Sequence, residues 1–249
     1  MNKLESYGKF IFCFFSRNGG VSRNHFSSLN CSYNTNDKEI NIKKNREIIS
    51  SFFSNRKIII PNQIHSNIVK DIIQNKVELF NADSIVTERD DILLGILTAD
   101  CAPIIVLGRK KFGIAHVGWR GLLNGIIENT LENMILSGEK IDDISIFVGP
   151  HLTKYSFKVQ ADFIQKLKTK VQDFDKYIIN LNSRTFFDFS GLIESKILKL
   201  KISKYKISSV DTYSNSNKYF SHRFCKVNKI KNCGRQISVV GIKKEYKLI

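Results

Sequence analysis

The chain has 249 residues, 42% of them hydrophobic, enough to bury a sizeable core as one domain over 1–249. No apolar run reaches the roughly eighteen residues that a membrane helix needs. The charge balance is +16, but the lysines are spread along the chain without an aromatic RNP-like motif or a zinc-finger spacing, so drift in composition is the reading and nucleic acid is not expected.

Lys9-Phe10-Ile11-Phe12-Cys13-Phe14-Phe15 is too short for a signal peptide and lacks a small-residue cleavage site, so a cytoplasmic location is expected and residues 1–15 read as strand. Ser16 to Ser22 is a turn whose paired glycines permit positive φ, with Arg17 placed to hold an anion. Asp37 to Phe53 repeats apolar positions at helical spacing behind Asp37 as N-cap. Lys57 to Pro61 and Asn67 to Ile73 are β-branched runs with His65 at their junction. Asp83 to Thr87, Ile92 to Thr98, Ile104 to Leu107 and Phe112 to Val117 give further strands. Leu122, Leu123, Ile126, Ile127, Leu131, Met134 and Ile135 mark one amphipathic helix that opens at Gly118 and stops at Gly138. Ile144 to Val148 is a strand, Gln160 to Ile178 a helix, Phe186 to Phe189 a strand and Leu192 to Leu200 a helix. Lys196, Lys199, Lys201, Lys204 and Lys206 alternate with apolar residues as on a solvated face. Lys206 to Tyr213, Tyr219 to Phe224 and Arg235 to Ile242 read as three closing strands. Strands and helices mixed without strict βαβ alternation predict an α+β fold of mixed sheet layers with helices.

The chemistry concentrates in Leu97 to Leu122, where strand ends deliver Asp100, Cys101 and His116. Five cysteines, an odd number without a C-x-x-C pair, argue against a disulfide scaffold, and Cys101 is the one assigned a chemical role. His65, Cys101 and His116 lie 36 residues (65 to 101) and 15 residues (101 to 116) apart. Such long, unequal spacings suit a site assembled from several strand ends. Two imidazoles and one thiolate are a tetrahedral zinc set with one position open, the pattern of a catalytic site. Asp100 is placed to orient a ligand or polarise a substrate. The Gly118-Trp119-Arg120-Gly121 turn offers helix N-terminal amides and a bidentate anion donor in Arg120.

The motifs SRNGGVS, PNQIHSNIV, NADSIVT, LTADCAP, AHVGWRG and VGPHL follow one another in an order that resembles the YfiH/DUF152 family. Its members carry the names laccase-domain protein, polyphenol oxidase and purine nucleoside phosphorylase. The resemblance runs from about Phe10 to Ile242. It implies a YfiH-like α+β domain of the kind shared with a deamidating toxin, and zinc held by His65, Cys101 and His116. It also implies action on adenosine, inosine, guanosine and methylthioadenosine, with adenosine either split by phosphate or deaminated to inosine. The chain departs from the family at His151 and Asp211, where cysteines are usual, and at His222, where an aromatic is usual; His151 is thereby a candidate extra ligand or proton carrier.

Zinc-dependent phosphorolysis of purine nucleosides is therefore expected. Arg17, Arg120 and Arg223 would hold phosphate, and Asp83 or Asp100 would contact the nucleoside. Three rivals stand beside it. One is a hydrolase or deamidase with Cys101 as nucleophile and His116 as base. Another is copper-dependent phenol oxidation, poorly supplied with ligands by five histidines, with copper an adventitious occupant of the zinc position. The third is a basic binding module in which zinc is structural.

Overall fold

Alternation along the strands splits the apolar residues among three cores, and those cores set the layers. The computed structural model describes residues 2–74 and 79–244. The chain begins with β1 (Glu5–Tyr7) and β2 (Phe10–Phe14), then α1 (Glu39–Ser51), β3 (Lys57–Ile59) and β4 (Val69–Asp71). The central run is β5 (Ser84–Thr87), β6 (Ile92–Thr98), β7 (Ala102–Leu107), β8 (Phe112–Val117), α2 (Trp119–Leu123) and α3 (Ile126–Leu136). It continues through β9 (Ser145–Val148), β10 (Lys158–Val159), α4 (Ala161–Lys168), β11 (Ile178–Leu181), β12 (Arg184–Phe187) and α5 (Phe189–Lys199). The chain closes with β13 (Lys204–Ile207), α6 (His222–Val227) and β14 (Gln236–Ile242).

A five-stranded sheet has the order β1-β2-β14-β6-β3 and a six-stranded sheet the order β13-β9-β7-β8-β5-β4, each mixing parallel and antiparallel pairs. Phe10 and Phe12 of β2, Ile92, Leu94 and Ile96 of β6, and Ile105, Leu107, Phe112 and Ile114 of β7 and β8 fill the space between the two sheets. The alternate residues Cys13, Leu93, Ile237 and Val239 face the other way and pack with Ile49 and Phe53 at α1. On the far side of the six-stranded sheet, Ile104, Val106, Ala115 and Val117 pack against α3, α4 and α5. A three-stranded sheet, β10-β12-β11, adds Phe187 to that core. The result is the α+β fold of layered mixed sheets expected from the sequence. Among the described residues no helix is long and apolar enough to cross a membrane.

Four chain crossings join the large sheets: β3 to β4, β5 to β6, β6 to β7 and β13 to β14. The link from β3 to β4 leaves the five-stranded sheet and enters the six-stranded one, and the turn from β6 to β7 does the same.

Several elements differ from expectation. The helix after Gly118 is broken in two, because Gly125 takes φ of 88° and ends α2 before α3 begins. The helix expected over 160–178 closes with α4 at Lys168 and gives way to a 3₁₀ turn over Phe174–Tyr177. Residues 219–224 are not a strand: the Ser221 hydroxyl accepts from the Phe224 amide at 3.1 Å and starts α6. Asp37 is not the N-cap of α1. Its carboxylate instead gathers Ser22, Asn30, Asn41 and the Lys38 amide.

Candidate metal centre and substrate pocket

His65 lies in the β3–β4 crossing, Cys101 in the β6–β7 turn, and His116 near the end of β8, where it pairs with Pro103. Their ligand atoms lie within 4.8 Å of one another, and the two imidazoles meet edge to face with centroids 4.8 Å apart. Two of the turns that deliver them have left-handed backbone, with φ of 59° at His65 and 86° at Asp100. A glycine at 118 makes the approach possible. A Cβ there would stand 3.1 Å from His65 Cδ2 and 3.2 Å from Cys101 Sγ.

Asp83, at the head of β5 and fully buried, holds the histidines in place. Its Oδ1 accepts from the His65 amide at 3.0 Å and from His116 Nδ1 at 2.8 Å. Its Oδ2 accepts from the amides of Ile64 (3.2 Å) and Ser66 (2.6 Å) and from the Ser66 hydroxyl (2.7 Å). Burial pushes this carboxyl up, but the bonds from His116 and Ser66 outweigh it and hold it down at about 2. With Nδ1 committed to Asp83, His116 turns Nε2 towards the cluster, the arrangement of a carboxylate–histidine–metal relay. Burial pushes the Cys101 thiol up, yet the adjacent His116 and His65 draw it below its ordinary range. In the same pair, burial presses His116 down while Cys101 and Asp83 raise it.

The donor set fits a metal ion. Tetrahedral bonds of about 2.0–2.3 Å put ligand atoms roughly 3.3–3.8 Å apart, so the observed cluster needs to close by about 1 Å. Among the described residues this is the only such group.

The cluster opens into a cavity of about 650 Å³, within the range of small-molecule sites. Trp119, Phe157 and Phe189 give it an apolar wall, with Trp119 edge-on to Phe163 at 5.0 Å. Arg120 lies exposed in the lining and stacks over Trp119 at 4.4 Å. Arg223 also lines it, donating to the carbonyls of Ser156 (3.1 Å) and Lys158 (3.0 Å). Asp100 borders the cavity, but its carboxylate is engaged by the Thr212 hydroxyl at 2.6 Å and the Arg223 amide at 2.6 Å. It therefore ties the first turn of α6 to the Cys101 turn, and burial raises its carboxyl above the usual range.

Two expected site residues are elsewhere. Arg17 does not line the cavity: it stacks over Phe220 at 4.4 Å and donates to the carbonyls of Ser27, Ser216 and His25. Asp83 supports the ligands from behind and has no surface towards the cavity. His151 is fully buried, with Nδ1 against the Gly149 carbonyl and Nε2 against the Ser190 hydroxyl. Asp211 gathers Thr153, Ser156 and Ser214. Neither lines the cavity.

Sequence reasoning misses Gln63, Lys226 and Arg235, all in the lining. Gln63 spans to Leu97, donating to its carbonyl and accepting from its amide, each at 2.8 Å. Its place two residues before His65 is the available signal. Lys226 is brought in by α6, outside the stretch expected as a strand, and Arg235 by the residue ahead of β14; no local pattern marks either.

A family model described as multi-copper polyphenol oxidoreductase laccase matches residues 11–243. A purine nucleoside phosphorylase of Rickettsia prowazekii is 30% identical over 189 residues, covering 74% of this chain and 78% of the relative. The purine nucleoside phosphorylase YlmD of Bacillus subtilis is 26% identical over 92% of this chain and 87% of its own. A crystal structure of a DUF152 protein from Neisseria meningitidis superposes with a TM-score of 0.87 at 23% identity, covering 98% of this chain and 99% of the other. That of YlmD from Geobacillus stearothermophilus gives 0.84 at 20% identity over 95% and 93%. At these identities the two structures speak for the fold.

Proposed function

The chain belongs to the family described as multi-copper polyphenol oxidoreductase laccase, and on that footing we propose that it is a purine nucleoside phosphorylase with zinc held by His65, Cys101 and His116. The observation that carries the reading is the convergence of two imidazoles and one thiol at the floor of a cationic, partly aromatic cavity. The relatives named purine nucleoside phosphorylase support it from outside. Zinc held by His65, Cys101 and His116 would supply a Lewis acid to the reaction. Copper is less well matched, because Met134 is packed in the core and, among the described residues, no methionine lines the cavity.

In phosphorolysis a phosphate oxygen bonds to ribose C1′ while the bond from C1′ to the purine breaks and the base takes up a proton. Arg120 and Arg223 are placed to neutralise the phosphate. The aromatic wall of Trp119, Phe157 and Phe189 offers faces for a purine and excludes water. Asp83 fixes the tautomer and direction of His116. Asp100 serves as a positioning residue that keeps Arg223 over the cavity. Adenosine, inosine, guanosine and methylthioadenosine are the proposed substrates.

The test is incubation of the zinc-loaded protein with adenosine and phosphate, with products separated by chromatography. Adenine with ribose 1-phosphate is expected. Inosine without free base would replace phosphorolysis by deamination, and absence of both would overturn the reading. Cys101→Ser is expected to lose both metal and turnover; retention of both would remove Cys101 from the scheme. Loss of turnover to a thiol alkylator but not to a chelator would favour Cys101 as a nucleophile.

A further inference from the structure

We propose that Cys225 and Cys233 form an oxidation site, at which a peroxide joins the two sulfurs into a disulfide that shifts α6 and lowers the activity of the adjoining cavity. The two thiols share a buried cluster with Ala99 and Phe220, and each shifts the titration of the other. Both are free. Cys225 is in α6, and Cys233 is in the segment that leads from α6 to β14. The loop to be closed is short, so no distant part of the chain has to move.

Cys225 differs from the other cysteines outside the metal cluster. Burial pushes the Cys13 and Cys31 thiols up to about 12, which keeps them protonated and inert. The contact with Cys233, with Arg17 and Arg235 nearby, instead holds the Cys225 thiol below its ordinary range, while the same contact and burial raise Cys233, which stays protonated as the second sulfur. The thiolate is the nucleophile in such chemistry.

The electrons balance with peroxide as oxidant. The Cys225 sulfur attacks one peroxide oxygen, the O–O bond breaks, and a sulfenic acid and one water result. The Cys233 sulfur then attacks the sulfenic sulfur, its proton leaves with the departing hydroxyl as a second water, and the disulfide remains.

A disulfide bond of about 2.05 Å brings the sulfurs closer than any hydrogen bond allows. The pull acts on α6, which places His222, Arg223 and Lys226 in the cavity lining. It acts also on Asp100, next to Cys101, because Asp100 accepts from the Arg223 amide. A displacement on the order of 1 Å at such groups costs roughly tenfold or more in rate.

The effect on turnover rests on the phosphorylase reading, whereas the linkage and its effect on the cavity do not. The zinc-loaded full chain is treated with hydrogen peroxide, digested without reductant and mapped by mass spectrometry. The fluorescence of Trp119, the sole tryptophan, reports on the cavity without any substrate, and nucleoside turnover is read in parallel. A Cys225–Cys233 linked peptide is expected, with a changed Trp119 signal, roughly tenfold slower turnover, unchanged zinc content and full reversal by dithiothreitol. Cys233→Ser, or Cys233→Ala if the serine is not tolerated, should keep the parental rate in reducing buffer and lose the response. Absence of the linked peptide would overturn the proposal, as would a linked peptide with unaltered fluorescence. An equal response in the Cys233 variants, pointing to oxidation at Cys101, would overturn it too. If the protein turns over no nucleoside at all, the peptide and the fluorescence still decide the matter.

Discussion

Replacing Asp83 by asparagine tests the support of the metal centre without touching a ligand. The carboxylate accepts five hydrogen bonds, from His116, three loop amides and the Ser66 hydroxyl. Holding it at about 2 against its ordinary 3.8 corresponds to about 2 kcal/mol at roughly 1.4 kcal/mol per unit. Because the folded value is the lower one, this stabilisation is complete above pH 3.8 and is lost as the pH falls towards 2. Asparagine keeps one acceptor oxygen and turns an NH₂ towards buried donors. At least two donors then lack an acceptor, at about 1–3 kcal/mol each. A loss of about 2–4 kcal/mol in urea unfolding at neutral pH is expected, with a shallower decline in acid. Zinc affinity, measured by competition with a chromophoric chelator, should fall roughly 10- to 100-fold. A variant that matched the parent in both stability and zinc affinity would refute the assignment of Asp83 as the support of His116 and of the His65 loop.

Three further substitutions separate ligand geometry from scaffold. Gly118→Ala places a methyl 3.1 and 3.2 Å from two ligand side chains, so the protein should fold but bind zinc roughly tenfold or more weakly, read by the same competition. Arg17→Ala removes a cation bonded to three carbonyls. It should cost about 2 kcal/mol in unfolding free energy and leave the KM for phosphate unchanged; a raised KM would return Arg17 to the substrate site. His151→Leu should leave zinc content unaltered, as metal analysis would show. Burial lowers the His151 imidazole, so the unfolded chain takes up the proton first and the wild type loses stability as the pH falls below 6.5. The leucine variant, though less stable at neutral pH, should lose less between pH 7 and about 5 in urea titrations.

Legibility in the sequence follows the strength of the local signal. β6 and β8 are legible to the residue, because they are nearly continuous apolar runs bounded by polar turns and buried on both faces. Of the candidate ligands, Cys101 and His116 are legible because they stand at strand ends, and His65 because it sits at the junction of two β-branched runs. The helix break at Gly125 is not, since the apolar stripe continues across it and only a positive φ interrupts the axis. The sequence Tyr219 to Phe224 carries aromatic residues at strand-like spacing, and a single serine hydroxyl turns it into a helix. That ambiguity hides Lys226, which the same helix carries. Arg17 misleads for a different reason. An arginine beside a glycine turn looks the same whether it meets an anion or three carbonyls from distant parts of the chain, such as Ser216.

The positions of His65 and Cys101 at two of the crossings between the sheets bear on how the protein is made. Neither ligand reaches the other until β3 and β6 have joined one sheet and β4 and β7 the other, and until β5 has brought Asp83 beneath them. These are long-range pairings, which form slowly compared with local turns. On the proposed assignment the three ligands come together only near the end of the folding reaction, and high-affinity metal capture would mark its completion. In a refolding experiment, uptake of zinc should follow the burial of the apolar layers and coincide with the final, slowest rise in resistance to proteolysis.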